Sequence, residues 1–286
     1  MRKLIFLFAL FQLGFMLNAQ QLKVSTYNIR NANFNDSING NGWHQRCPVI
    51  CDIIQYNDFD IVGLQEVLDR QRMDLIYSLP QYNHIGVGRD DGKTKGEYAS
   101  ILYKKDKFEE LQSGHFWLSE NTGYPNTGWD AKYPRICTWT QLKEKDNGKI
   151  IWFYNLHLDH IGIKARRESC KLVLQKIKKE VAVDEACILT GDFNVDQNNE
   201  IYNIIENSGV LRDSYNICEK RYATNGTFNG FNPDHWSVNR IDHIFISNNL
   251  NVLNYKVLTD IYWIKGEKNK IRLPSDHFPV SVSLMF

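Results

Sequence analysis

The chain has 286 residues, 43% of them hydrophobic and 23% charged, and its 34 Lys and Arg stand against 33 Asp and Glu for a net charge of +1. That composition excludes a disordered or low-complexity polymer, and seven Pro with 18 Gly exclude a collagenous or linker-dominated chain. No basic coat for nucleic acid is present, so function must rest on a local site.

The N-terminus reads as a leader. Arg2 and Lys3 precede an apolar run from Leu4 to Leu17, broken only by Gln12 and Gly14, before Asn18-Ala19-Gln20 turns polar. A charged start, an apolar centre and a small residue at the exit describe a secretory signal peptide over residues 1–19. The run is shorter than the roughly 20 residues a spanning helix needs. The expectation is a secreted or periplasmic protein with no transmembrane segment in the mature chain, residues 20–286 forming one domain. Export would permit disulfides among Cys47, Cys51, Cys137, Cys170, Cys187 and Cys218, but spacing leaves any pairing open. Most of these cysteines sit in apolar runs, as small buried hydrophobes do.

In chain order, strand-like segments rich in Val, Ile, Tyr, Phe and Trp cover Leu22–Ile29, Asp60–Glu66, Tyr82–Val87, Tyr98–Tyr103 and Ile136–Leu142. Others cover Ile150–Leu158, Ala186–Thr190, Ile241–Ser247, Val252–Trp263 and Phe278–Leu284. The run Ile150-Ile151-Trp152-Phe153-Tyr154 does not alternate, which fits a strand covered on both faces. Helical stripes run through His44–Tyr56 (Cys47, Ile50, Cys51, Ile54) and Ile163–Val181 (Ile163, Cys170, Val173, Leu174, Ile177, Val181). The lysines opposite the second stripe read as a solvated face. The pattern points to an α/β chain with two packed sheets and helices outside.

Polar residues collect where the strands end. Asn28 closes the first, Glu66 the second, and His157 lies in Asn155-Leu156-His157. Asp192 and Asn194 follow Ile188-Leu189-Thr190-Gly191, Asp242 opens Asp242-His243-Ile244, and Asp276-His277 precede Phe278-Pro279. Asp192 and Asn194 are two apart, so in extended chain both project to one side. Several carboxylates with amides and no thiolate cluster suit a hard ion, Mg²⁺ or Mn²⁺.

Seven segments in order resemble the endonuclease/exonuclease/phosphatase family: Thr26-Tyr27-Asn28-Ile29-Arg30, Gln65-Glu66-Val67, Gly96-Glu97-Tyr98, Asn155-Leu156-His157-Leu158, Gly191-Asp192-Phe193-Asn194, Arg240-Ile241-Asp242-His243-Ile244 and Ser275-Asp276-His277-Phe278-Pro279-Val280. Members of that family include pancreatic-type deoxyribonucleases, abasic-site endonucleases, neutral sphingomyelinases, inositol-polyphosphate phosphatases and nocturnin-like deadenylases. The resemblance implies a four-layer α/β/β/α sandwich of two packed mixed β-sheets flanked by helices, with the site at one edge. It makes Glu66 the principal metal ligand, helped by Asn28 and Asp276. It gives Asp192 and Asn194 the attacking water and the phosphate, His277 the general acid–base role, and Asp242 the task of orienting it. His157 matches the second histidine of the deoxyribonuclease branch, with Glu97 as its carboxylate partner.

Arg135, in Pro134-Arg135-Ile136, is a candidate fork for a phosphate oxygen. Asp159 and His160 either extend the site or cap a strand end, and His243 reads as structural. The resemblance would bring two aromatic, polar regions, from Phe116 to Pro134 and from Gly226 to Trp236, beside the site, where they either shape specificity or simply pack long loops onto their own domain. The function expected is hydrolysis of a phosphate mono- or diester, of small-molecule, lipid-linked or nucleic-acid origin, by metal-assisted water attack; no obligate protein partner is implied. A secreted nuclease is the alternative, weakened by the low charge of the mature chain. An inactive phosphate- or glycan-binding module is a third, opposed by the full set of polar residues.

Overall fold

The computed structural model describes residues 21–223, 225–264, 266 and 270–286, and the leader expected over residues 1–19 lies outside them. The chain runs through β1 (Leu22–Asn28), α1 (Phe34–Ile38), α2 (Trp43–Tyr56), β2 (Ile61–Val67), α3 (Asp69–Ser78), β3 (Tyr82–Ile85) and β4 (Tyr98–Lys104). It continues with β5 (Phe108–Trp117), β6 (Ile136–Glu144), β7 (Ile150–His157), α4 (Ile163–Glu180), β8 (Ala186–Asp192), α5 (Glu200–Glu206), β9 (Leu211–Asp213) and α6 (Ser214–Ile217). The last stretch holds β10 (Arg221–Tyr222), β11 (Asp242–Ser247), β12 (Asn251–Val257), β13 (Tyr262–Trp263), β14 (Ile271–Arg272) and β15 (Val280–Met285).

Among the described residues, one sheet has seven strands in the order β10-β12-β15-β1-β2-β4-β3 and another has six in the order β5-β6-β7-β8-β11-β9, while β13 and β14 pair separately. Leu22, Val24, Ile61 and Ile101 from the first sheet meet Leu142, Ile151, Phe153 and Ile188 from the second in one core. On the outer side of the first sheet, α2 and α3 pack against Tyr27, Val62 and Leu64. On the outer side of the second, α4 and α5 pack against Tyr154, Leu156, Leu189 and Phe245. The result is the expected α/β/β/α sandwich. It also explains the unbroken apolar run of β7: Ile151 and Phe153 enter the inter-sheet core while Trp152 and Tyr154 enter the layer under α4.

Besides the short parallel pair β10 with β12, two parallel pairs, β1 with β2 and β7 with β8, need crossovers, which α2 and α4 supply. The α2 stripe of Cys47, Ile50, Cys51 and Ile54 is buried, as are Cys170, Val173, Leu174 and Ile177 of α4. Ile163, at the α4 start, is exposed and does not join that stripe. On the α4 outer face, Lys171 pairs with Glu168 and Lys176 with Glu180 along the helix. All six cysteines are buried free thiols.

Two elements carry no clear periodic signal. β5 is an edge strand whose central residues, Glu109 through Ser113, are exposed, so nothing forces its sequence to alternate. Phe116 and Trp117 are its buried end rather than the start of a loop. α3 buries only Gln71 and Leu75 and is otherwise polar. The expected single strand Val252–Trp263 divides into β12 and β13.

Between the sheets, directly beneath the site, the apolar core gives way to a polar seam. Asn155 of β7 donates from Nδ2 to the carbonyls of Leu64 (2.9 Å) and Ser100 (2.8 Å) across the interface. Its Oδ1 accepts from Gln65 Nε2 (2.7 Å) and Thr190 Oγ1 (3.0 Å). Each side chain in this group is fully buried, so every bond matters to the next. Gly63 faces the same seam, and a Cβ there would collide with Thr190 Oγ1 and Asn155 Oδ1. Gly63→Ala is therefore expected to lose about 1–3 kcal/mol of stability in urea denaturation. A variant as stable as the parent would show that the seam can shift.

Candidate active site

The pairs β1–β2 and β7–β8 end at the same edge of the sandwich. β1 and β2 bring Asn28 and Glu66 there; β7 and β8 bring His157 and Asp192, which are register partners. Antiparallel β11 begins at Asp242, directly opposite Asp192. The segment before β15 supplies Asp276 and His277. An isolated bridge between Phe228 and His277 anchors that segment.

Local backbone strain aims several of these groups. Arg30, Glu66 and Asn194 hold positive φ values of 56°, 62° and 51°, a region unfavourable for side chains with a Cβ. At Glu66 the pairing of β2 with β4 slips between Leu64 and Val67, a bulge that turns the carboxylate toward the site. Asn194 is held by its own N–H donating to Asp192 Oδ1 (2.9 Å) and by its Nδ2 donating to the Leu158 carbonyl (3.0 Å).

One amide joins the two sheets at this edge. Asn28 Nδ2 donates to Glu66 Oε1 (3.1 Å) and to Asp192 Oδ2 (3.0 Å), while its Oδ1 accepts from the Arg30 N–H (3.0 Å). Asn28 is thus a strut between two carboxylates. Asn31 holds the other Glu66 oxygen from both its backbone N–H and its Nδ2, each at 3.0 Å, and also donates to Glu97 Oε1 (3.0 Å).

His277 Nδ1 donates to Asp242 Oδ2 at 2.9 Å, and its Nε2 lies 3.8 Å from Asp192 Oδ2. Burial alone would pull the imidazole down, but Asp242, Asp192 and Asp276 together outweigh it and raise its pKa well above the usual histidine range. Asp192 is pushed up to about 7 by burial and by the Asp242 charge. Burial likewise raises Asp276, with Glu66 adding to it. His157 is the opposite case: burial, then the neighbouring guanidiniums of Arg135 and Arg89, hold it neutral, far below its ordinary value.

The sequence-level pairing of His157 with Glu97 is not a hydrogen bond. The closest approach is 4.0 Å, because the permanent charge of Arg89 claims Glu97 Oε2 and Asn31 claims Oε1. His157 Nε2 instead faces Asp192 Oδ2 at 3.5 Å. Arg135 is buried, its Nε donating to Asp159 (3.2 Å) and its Nη2 bonded to His160 Nδ1 (3.0 Å). Asp159 therefore supports the site, and His160 lies on its rim, stacked on Tyr133. His243 is fully buried, with Nε2 on the Val195 carbonyl, and is structural as expected.

Glu66, Glu97, Arg135, His157, Asp192, Asn194, Asp276 and His277 line one cavity of about 470 Å³, with Asn28 and Asp242 fully buried behind its wall. Every residue expected from sequence converges there. The two aromatic regions contribute Tyr133 and Phe228, the latter edge-on to His277 at 5.2 Å. Sequence reading missed Asn31 and Arg89 and gave no role to Arg30. Arg30 and Asn31 border the first matching segment, which could have flagged them; Arg89 sits in a loop with no pattern at all.

Ligand-capable atoms of Asp192, Asp242 and His277 lie within 4.8 Å of one another. His277 Nδ1 is committed to Asp242, so that nitrogen is not free to ligate an ion. Glu66 and Asp276 form the other acidic pair. Their common cationic neighbour, Arg30 Nη1, stays 3.9 Å from Glu66 and 3.5 Å from Asp276, beyond good hydrogen-bond distance. An all-oxygen pair whose shared guanidinium hydrogen-bonds neither carboxylate fits a hard divalent ion.

The chain matches the model of the Endonuclease/Exonuclease/phosphatase family over residues 25–277. In sequence it is 26% identical over 252 residues to the uncharacterized protein L388 of Acanthamoeba polyphaga mimivirus, covering 84% of this chain and 91% of the viral one. The solved structure of a mannosyl-6-phosphatase of Bacteroides thetaiotaomicron VPI-5482 superposes with a TM-score of 0.91 at 53% identity, covering 93% of this chain and 100% of that one. An endonuclease/exonuclease/phosphatase of Bacteroides vulgatus superposes with a TM-score of 0.85 at 38% identity, covering 93% and 99%. A family match across the whole sandwich, with the matching side chains gathered at one edge, makes this chain a phosphoesterase of the Endonuclease/Exonuclease/phosphatase family.

Proposed function

We propose that residues 20–286 form an exported, divalent-metal-dependent phosphoesterase that removes phosphate from a sugar phosphate of the mannosyl 6-phosphate kind. The observation that carries the mechanism is the His277–Asp242 pair facing Asp192, with Glu66 tied to Asp192 through the Asn28 amide. The 53% identity to a mannosyl-6-phosphatase supports the substrate class. The leader supports export, and no described helix is long and apolar enough to cross a membrane.

Glu66 and Asp276 would hold Mg²⁺ or Mn²⁺, with Asn28 and Asn31 bracing Glu66. When bound, the ion offsets charge on the phosphoryl oxygens and the departing alkoxide and lowers the pKa of bound water. Asp192, shifted to about 7, is placed to take the proton of the attacking water near neutral pH. Asn194 orients that water or the phosphate beside it. His277, kept protonated by its carboxylate neighbours, can stabilise the developing charge and pass a proton from Nε2. Asp242 fixes the ring so that Nε2 is the atom presented. His157, held neutral, can donate to or accept from a phosphoryl oxygen without adding charge.

Glu66→Gln is expected to weaken Mn²⁺ binding in calorimetry as well as turnover; unchanged affinity would remove Glu66 from the ion's shell. His277→Ala and Asp192→Asn should each cut kcat by about 10²–10⁴ with the melting temperature preserved. Asp242→Asn should lower kcat over a similar range, about 10²–10⁴, with little change in KM, because it spoils the orientation of His277 rather than the fit of substrate. A panel of mannose 6-phosphate, glucose 6-phosphate, bis-(p-nitrophenyl) phosphate and plasmid DNA tests the substrate class. Turnover of DNA with none of either sugar phosphate would replace that class with a nuclease.

A further inference from the structure

The cavity lining mixes charges: the carboxylates of Glu66, Glu97, Asp192 and Asp276, with Arg30 near two of them, and, close to His157, the guanidiniums of Arg135 and Arg89. Arg135 and Arg89 are tied down. Arg89 is paired with Glu97 and lies over the Tyr133 ring at 5.4 Å. Arg135 is fixed along two of its three nitrogens, Nε by Asp159 and Nη2 by His160. Asp159 is itself held in place, accepting from the N–H groups of Ile161 (3.0 Å), Gly162 (2.8 Å) and Tyr133 (3.3 Å).

The third nitrogen, Arg135 Nη1, is buried and has no hydrogen-bond partner, although only 4% of the residue is exposed. A donor so placed is costly unless an acceptor arrives, and its neighbours leave it no freedom to seek one elsewhere. Because Arg135 lines the cavity, this unpaired donor is a candidate partner for one anionic oxygen.

We propose that Arg135, with Arg89 beside it, makes this site select phosphate monoesters over phosphate diesters. The inference rests on the phosphoesterase reading above and names the ester class for it. A monoester dianion carries three non-bridging oxygens. Glu66 and Asp276, which would hold the ion, and the histidines His157 and His277 would account for two, and the third would meet Arg135 Nη1. In a diester that position is an ester oxygen bearing carbon. It accepts weakly, carries less charge and pushes an alkyl group against a buried N–H that then stays unpaired. Sites that reject a ligand for lack of a hydrogen-bonding partner do so by up to about 10⁴–10⁵.

Two esters with the same leaving group, p-nitrophenyl phosphate and methyl p-nitrophenyl phosphate, test this on the full chain with Mn²⁺. The ratio of their kcat/KM values should favour the monoester in the parent and fall at least about 100-fold in Arg135→Met, with Arg135→Lys intermediate. His160→Ala, at an exposed position, frees the guanidinium without disturbing the core and should lower the same ratio about tenfold. Equal losses on both esters, or an unchanged ratio in the folded variants, would overturn the proposal. Calorimetric titration with inorganic phosphate gives a second readout: affinity should drop by about tenfold or more in Arg135→Met, and equal affinity overturns the assignment. If the parent cleaves neither ester, the phosphoesterase reading itself fails, and the phosphate titration alone decides whether Arg135 is an anion donor.

Discussion

The Asn155 side chain holds the two halves of this protein in register. Apolar contacts between sheets are non-directional and would tolerate sliding; four hydrogen bonds from one buried amide would not. Leu64 and Gln65 precede Glu66 on β2, while Thr190 stands two residues before Asp192 on β8. Fixing the first pair against the second therefore fixes the carboxylates they lead to. The Asn28 bonds to Glu66 and Asp192 repeat the same tie one layer closer to solvent. Gly63 is part of this arrangement because only a residue without Cβ leaves room for the amide.

Crowding so many acids at a buried edge is unfavourable unless each is matched. The matching here is uneven. Asp242 has an imidazole, Glu97 has Arg89 and Asp159 has Arg135, whereas Glu66 and Asp276 share one guanidinium that hydrogen-bonds neither. Arg30, Glu66 and Asn194 also sit at positive φ at this edge. Charge without a close hydrogen-bonded counterpart and local backbone strain thus meet at the same edge of the sandwich.

Much of this was legible in the sequence, and the parts that were not share a cause. Central strands such as β1, β7 and β8 must be apolar on one or both faces, so their composition announced them. β5 and α3 are bounded by solvent on most sides, so selection for burial left little mark. At the site, residues on strand ends were recoverable because they follow a recognisable strand and fall in ordered segments. Arg89 was not, since its place depends on the loop between β3 and β4 folding back to Glu97 and Tyr133. The histidine partnerships were half legible. Asp242 and His277 meet as expected, but no spacing rule could show that a cation would take Glu97 from His157.

The buried thiols have a consequence of their own. Six sulfhydryls lie in the layers that hold the sandwich together, two on α2, one on α4 and the others on or beside strands; Cys47 borders the open cavity beside α2 and α3, and the other five are shut away from solvent. An oxidant or alkylating reagent can reach those five only when a layer opens, so their rate of modification would register the breathing of the fold rather than its surface chemistry.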